Sequence, residues 1–172
     1  MSLFHVVVAL VIASRLFELI LAHRNARRLL AEGAVEIGRS HYPLIVALHA
    51  AWLAAMLVAI PGDAPANWFW LGFFLLLQLA RFWVLWTLGR FWTTRIITLP
   101  GAPLVRRGPY RFIRHPNYLV VALEIVTLPL AFGATTLAVI FGLANAAMLA
   151  WRIRIEDAAL SPRRSRAGHN LV

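Results

Sequence analysis

Cationic and titratable side chains crowd into Gly108-Pro-Tyr-Arg-Phe-Ile-Arg-His-Pro-Asn-Tyr118, a stretch of an otherwise mostly apolar chain. Arg111 and Arg114 present planar guanidinium groups that grip anionic oxygens bidentately, and His115 adds an imidazole that can donate or accept. Pro109 and Pro116 fix their own φ and bias Gly108 and His115 away from helix. The stretch therefore reads as a stiff basic loop, with a helix beginning at Pro116 or Asn117. It delivers Arg111, Arg114, His115 and Tyr118 to the mouth of a hydrophobic segment. A second pair, Arg152 and Glu156, lies four residues apart and shares one side of a helix. Alone, that spacing describes a surface ion pair worth only about 0.3–0.5 kcal/mol. Beside the loop's Arg and His it describes a polar pocket, with Arg for an anionic oxygen and Glu for a cationic or hydroxylic partner.

The elements that must position these groups are apolar. Of 172 residues, 61% are hydrophobic and 14% charged, against roughly 25% charged in soluble domains. Runs near 3–22, 43–60, 68–89, 117–132 and 134–152 match the length and composition of membrane spans. The fold class this predicts is an all-α integral membrane protein, a single domain over 1–172 with about five transmembrane helices. Tryptophans cluster at both ends of the third run, as interfacial belts do. Between the third and fourth runs, the β-branched residues 93–99, the Pro100-Gly101 turn and residues 102–105 predict a small hairpin. Gly142 and Ala146 are spaced for close helix packing.

All 17 basic residues are arginine and the net charge is +10. Fifteen of them fall in the loop after the first run, the 90–116 connection and the tail, while the alternate ends carry none. By the positive-inside rule this predicts an N-terminus outside and the basic loop and tail in the cytoplasm. The charge is thus juxtamembrane, and no nucleic-acid partner is expected. The absence of cysteine removes disulfides and thiolate chemistry.

Ionisable groups inside spans are costly and face a partner or a cavity. Arg15 and Glu18 read either as mutual neutralisation or as substrate contacts, and Gln78, Arg81 and Glu124 as a similar interhelical set. His49 reads as a buried helix contact rather than a ligand. His23 and His41 lack the acidic company of a metal site, so no metal is expected.

Gly108-Pro-Tyr-x-x-x-Arg-His-Pro-x-Tyr118, followed by Arg152-x-x-x-Glu156-x-x-x-Leu160, resembles the isoprenylcysteine carboxyl methyltransferase family. Ser14-Arg-Leu-Phe-Glu18, Ala22-His-Arg-Asn25, His41-Tyr-Pro43 and Leu88-Gly-Arg-Phe-Trp92 are similar to a bacterial branch of it. Some members of that branch lie beside type III polyketide synthases and methylate alkylpyrones. The resemblance implies an S-adenosylmethionine-dependent methyltransferase embedded in the membrane, with a cytoplasmic cofactor-binding loop and C-terminal helix. It implies that His115, Pro116, Tyr118 and Leu119 cradle the cofactor. Arg152 and Glu156 would be catalytic, with Arg152 toward the methyl acceptor and Glu156 also toward the cofactor. Glu156 and Asp157 stand where the family often has two glutamates, whereas Val120 replaces a frequent Gly.

Three function classes follow. One is a methyltransferase for a lipophilic acidic hydroxyl of alkylpyrone or alkylresorcinol type, or for a prenylcysteine-like carboxylate, entering from the bilayer. The short tail after Leu160 and the branch-like residues point to the hydroxyl. Sterol-reducing NADPH enzymes share a His-Pro-x-Tyr segment but are much longer. A small membrane carrier would use Arg15/Glu18 and Arg81/Glu124, yet leaves the one-sided polar edge unexplained.

Overall fold

Glycine and proline decide where each apolar run stops, and the stops bring the arginine-rich loops together. The computed structural model describes residues 2–169. The side chains of His41 and of the tail, with Arg163, Arg164, Arg166 and His169, lie outside the described residues. Helices α1 (Leu3–Ala31), α2 (Tyr42–Ala59), α3 (Trp68–Leu88), α4 (Pro116–Ala131) and α5 (Thr135–His169) account for most of the chain. Strands β1 (Val35–Ile37) and β2 (Ile96–Thr98) form its one ribbon among the described residues.

Helix α1 runs nine residues past the expected end at 22. Arginine is a good helix former, so Arg24, Arg27 and Arg28 continue the helix out of the apolar layer. Gly33, at φ +90°, then closes it: Ala34 N–H bonds Leu29 O at 3.0 Å and Gly33 N–H bonds Leu30 O at 3.1 Å. Gly133 ends α4 with the same pair of bonds, to Pro129 and Leu130. Helix α5 likewise continues beyond 152 without a break. The other boundaries fall within about two residues of the expected ones.

Among the described residues, four helical segments are long and apolar enough to cross a membrane: those in α1, α2, Trp68–Phe91 and Thr135–Leu160. With the shorter apolar helix α4 these make up the about five helices expected. At 16 residues α4 rises only about 24 Å. It is instead enclosed, packing against α3 and α5, with Ile125, Leu128 and Ala131 almost wholly buried. Gly142 lets α5 approach, since a Cβ there would sit 3.0 Å from Val126 Cγ2. Phe17, Leu79, Trp86 and Leu143 remain widely exposed, as lipid-facing side chains of a membrane protein do. This is an all-α integral membrane protein.

The expected 93–105 hairpin does not form. Strand β2 pairs antiparallel with β1, Val35 opposite Thr98 and Ile37 opposite Ile96. Pro103 has no N–H to give a returning strand, whereas β1 offers unbroken donors. The ribbon sits at the end of the bundle that carries the basic loops. Asn25 Nδ2 donates to Gly89 O (3.1 Å) and Trp92 O (2.9 Å), fastening α1 there. At the opposite end, Asn67 N–H bonds Ala131 O at 2.8 Å, and the Phe4 and Phe132 rings meet edge-on at 5.1 Å.

Candidate active site

The basic loop is seated by Gly108. Its φ is +56°, and a Cβ there would stand 2.5 Å from Thr87 Oγ1 of α3. Only glycine takes that backbone at so close an approach without strain. Pro109 follows as the second residue of a 3-10 turn, Gly108–Arg111, and is buried. Arg107 Nη2 donates to Thr87 O at 3.3 Å, pinning the other side. The chain then reaches His115, the residue before α4, and the helix starts at Pro116 as the proline pattern predicts.

Tyr118, in the first turn of α4, is the centre of the polar cluster. Its hydroxyl donates to Glu156 Oε2 and accepts from Arg152 Nε at 2.7 Å. Arg152 Nη2 donates to Thr94 O at 2.7 Å, and Arg152 is only 6% exposed. The surface ion pair that the spacing of Arg152 and Glu156 describes is not what forms. Arg152 turns inward, and the two residues meet through the phenol. Beside them, the His115 ring stacks on Tyr118 with centroids 5.3 Å apart, and His115 Nε2 lies 3.2 Å from Asp157 Oδ1. Arg114 reaches the same carboxylate at 3.9 Å. Burial, and then the charge of Glu156, push the Tyr110 phenol above its ordinary range, so it remains protonated.

All of these except Asp157 line one cavity of about 800 Å³. It is walled by the 3-10 loop, β2 and the polar ends of α3, α4 and α5, and it runs inward to His49 of α2 and Arg81 of α3. Asn117 lines it as well, and its Oδ1 is buried without a hydrogen-bond partner. Of the residues singled out from sequence, His115, Tyr118, Arg152 and Glu156 are brought together. Pro116 is buried as the start of α4 and Leu119 is 47% exposed; neither lines the cavity. Arg111 lies over the Phe112 ring at 5.8 Å. Thr94 and Thr87 were not legible as site residues, because both act through contacts dozens of residues away in sequence.

Arg15 and Glu18 join the interhelical set instead of standing as a separate pair. Arg81 donates through Nε to Glu18 (2.7 Å) and through Nη1 to Glu124 (2.9 Å). Arg15 contacts Glu18 at 3.1 Å and Glu124 at 3.4 Å, and Gln78 donates to Glu124 at 2.8 Å. Two arginines and two carboxylates thus tie α1, α3 and α4 together inside the bundle. Arg81 alone of the four also borders the large cavity.

The sequence model of the isoprenylcysteine carboxyl methyltransferase (ICMT) family matches residues 70–162, more than half the chain. The chain belongs to this family. The matched region holds every member of the Tyr118–Arg152–Glu156 cluster, while α1 and α2, with Arg15, Glu18 and His49, precede it. ICMT-family membership points to a membrane methyltransferase. Two relatives are similar over nearly their whole length. The uncharacterized protein YpbQ of Bacillus subtilis (strain 168) is 39% identical over 163 residues, 92% of this chain and 96% of its own. An uncharacterized protein of Haemophilus influenzae is 27% identical over 166 residues, 94% and 96% respectively. No solved structure matches.

Proposed function

We propose that this ICMT-family protein is an S-adenosylmethionine-dependent O-methyltransferase for a lipophilic hydroxyl compound of alkylpyrone or alkylresorcinol type, drawn from the bilayer. The observation that carries this reading is the single cavity joining the Arg152–Tyr118–Glu156 cluster to His49 and Arg81 at bundle depth. A polar mouth suits a charged cofactor, and an inward extension suits an amphiphile whose tail stays in lipid.

The residues present fit the cofactor. The cavity lies within the roughly 300–1,000 Å³ usual for such sites. Asn117 Oδ1 supplies an unused buried acceptor for an amine, and Glu156 a carboxylate beside it in the same lining for a cationic centre. Arg152 spends Nε and Nη2 on the protein, which leaves Nη1 for an anionic oxygen. The cofactor's chemistry is an activated sulfonium methyl, transferred in line to the acceptor oxygen. The protein's part is alignment and exclusion of water. Tyr118 fixes the separation of Arg152 and Glu156, His115 braces the Tyr118 ring, and Arg152 holds the acceptor oxygen.

The arginine-rich end is read as cytoplasmic, where the cofactor is made, with the N-terminus outside and the protein in a bacterial cell membrane. A type III polyketide synthase would supply such an acceptor. A carboxylate acceptor of prenylcysteine type is the second reading, favoured by the buried guanidinium of Arg152. Calorimetric titration of detergent-solubilised protein with S-adenosylhomocysteine should show saturable binding. Labelled cofactor should mark a long-chain alkylpyrone or alkylresorcinol in preference to a prenylcysteine. Arg152→Ala and Glu156→Ala should each lower transfer by at least about 100-fold, the scale of a lost charged contact in a water-excluded site. Wild-type turnover in either folded variant would sink the assignment.

A further inference from the structure

Among the described residues His49 is the one titratable ring that lines the inner part of the cavity, and the function proposed above leaves it unused. Its Nδ1 lies 2.8 Å from Ile45 O, the carbonyl one turn earlier in α2. A carbonyl oxygen can only accept, so Nδ1 carries the hydrogen and donates it. In the neutral ring Nε2 then bears a lone pair, and among the described residues no protein group bonds it. The charged groups around the ring are Arg15 of α1, Glu124 of α4 and Arg152 of α5, with Arg81 of α3 bordering the same cavity. Helix α2 itself carries no other ionisable group than Tyr42, at its far polar end, and the His41 that precedes it.

An unprotonated nitrogen at that depth is matched to a hydroxyl and mismatched to a carboxylate. A carboxylate meeting Nε2 places acceptor against acceptor, whereas a phenol or enol O–H can donate to it. We propose that His49 is a catalytic residue, the general base that takes the hydroxyl proton of the acceptor. This rests on the hydroxyl reading of the function and deepens it. The acceptor O–H proton passes to His49 Nε2, and the oxygen's electron pair forms the new bond to the methyl carbon. The carbon–sulfur bond of the sulfonium donor breaks, leaving its pair on sulfur. Imidazolium forms between Glu124 and the cavity and returns its proton to solvent through the polar mouth. A base at this position brings weakly acidic phenols within reach, and base catalysis by a positioned side chain contributes about 100- to 10,000-fold.

The test has two arms. In the first, ¹⁵N-histidine-labelled protein in detergent is studied by long-range ¹H–¹⁵N NMR, with His49→Gln assigning the ring among the six histidines. The expected spectrum shows the Nδ1–H tautomer, and its Nε2 resonance moves when a long-chain 5-alkylresorcinol is added. An Nε2–H tautomer, or no response to the resorcinol, overturns the proposal whatever the protein's activity. In the second arm, His49→Gln and wild type are compared on the resorcinol and on a more acidic 4-hydroxy-6-alkyl-2-pyrone that is ionised at neutral pH. His49→Gln should slow the resorcinol at least about 100-fold, slow the pyrone less than about tenfold, and bind S-adenosylhomocysteine as wild type does. The resorcinol rate of the wild type should rise with pH as His49 deprotonates, and His49→Gln should lose that limb. Equal losses on both acceptors would make His49 a packing residue. Failure of the wild type to bind S-adenosylhomocysteine or to methylate either compound refutes the functional reading instead, and the NMR arm still decides whether His49 meets a hydroxyl.

Discussion

The Tyr118 hydroxyl has one hydrogen and gives it to Glu156, so Arg152 must be its donor. Tyr118→Phe keeps the ring against His115 but leaves a buried Arg152 N–H and a carboxylate oxygen without that partner. A hydrogen bond to a charged group is worth about 1.5–3 kcal/mol, so methyl transfer should fall by about 10- to 100-fold. Circular dichroism and S-adenosylhomocysteine binding would separate this from unfolding. Wild-type transfer in the variant would show that the hydroxyl positions nothing. The sequence made His115, Tyr118, Arg152 and Glu156 legible because their types and spacing are unusual in an apolar chain. It did not make their wiring legible. Spacing on one helix suggested a direct Arg152–Glu156 pair, but Thr94 O, 58 residues away, draws the guanidinium inward, and no local pattern records that.

At the scale of elements, the loop before α4 hangs on the contact between Gly108 and Thr87. Gly108→Ala incurs the left-handed backbone cost of about 1–2 kcal/mol for a residue with a Cβ. It adds the 2.5 Å collision with Thr87 Oγ1. Thermal midpoints in detergent, followed by intrinsic fluorescence, should drop for Gly108→Ala and recover in part for Gly108→Ala with Thr87→Ala, which removes only the collision. Full recovery would refute the backbone contribution, and no recovery the steric one. Helix existence was legible from long apolar runs, and the start of α4 from Pro116. The β ribbon is not legible locally because strand partners are chosen across the fold: Ile96 to Thr98 pairs with Val35 to Ile37 rather than with the Pro103-bearing segment beside it. The overrun of α1 past 22 is hidden for another reason. Arginine ends a hydropathy run but does not end a helix.

At the scale of the molecule, the apolar core between the far ends of α1, α2, α3 and α4 holds one half of the bundle together. The half nearer the site is hollowed by the cavity, so other forces must fix it. The Arg15–Glu18–Arg81–Glu124 set lies where the two halves meet and binds three helices. It is electrically balanced, so its disruption should depend on whether balance is kept. Arg81→Met alone strands Glu124 and Glu18 against a single arginine, and breaking a buried pair in this way costs about 3–5 kcal/mol. Adding Glu124→Gln removes the surplus charge and leaves Arg15 facing Glu18 at 3.1 Å. The double variant should therefore be more stable than Arg81→Met, recovering over half of the loss in a thermal or denaturant unfolding series. Strict additivity of the two single losses would mean that the charges do not act as one set. Because Arg81 also borders the cavity, a separate readout is needed for function. The double variant should bind S-adenosylhomocysteine as wild type does at temperatures where it is folded, since the polar mouth is built by Tyr118, Arg152 and Glu156. Weaker binding in a folded double variant would place the ionic set in the cofactor site rather than beneath it.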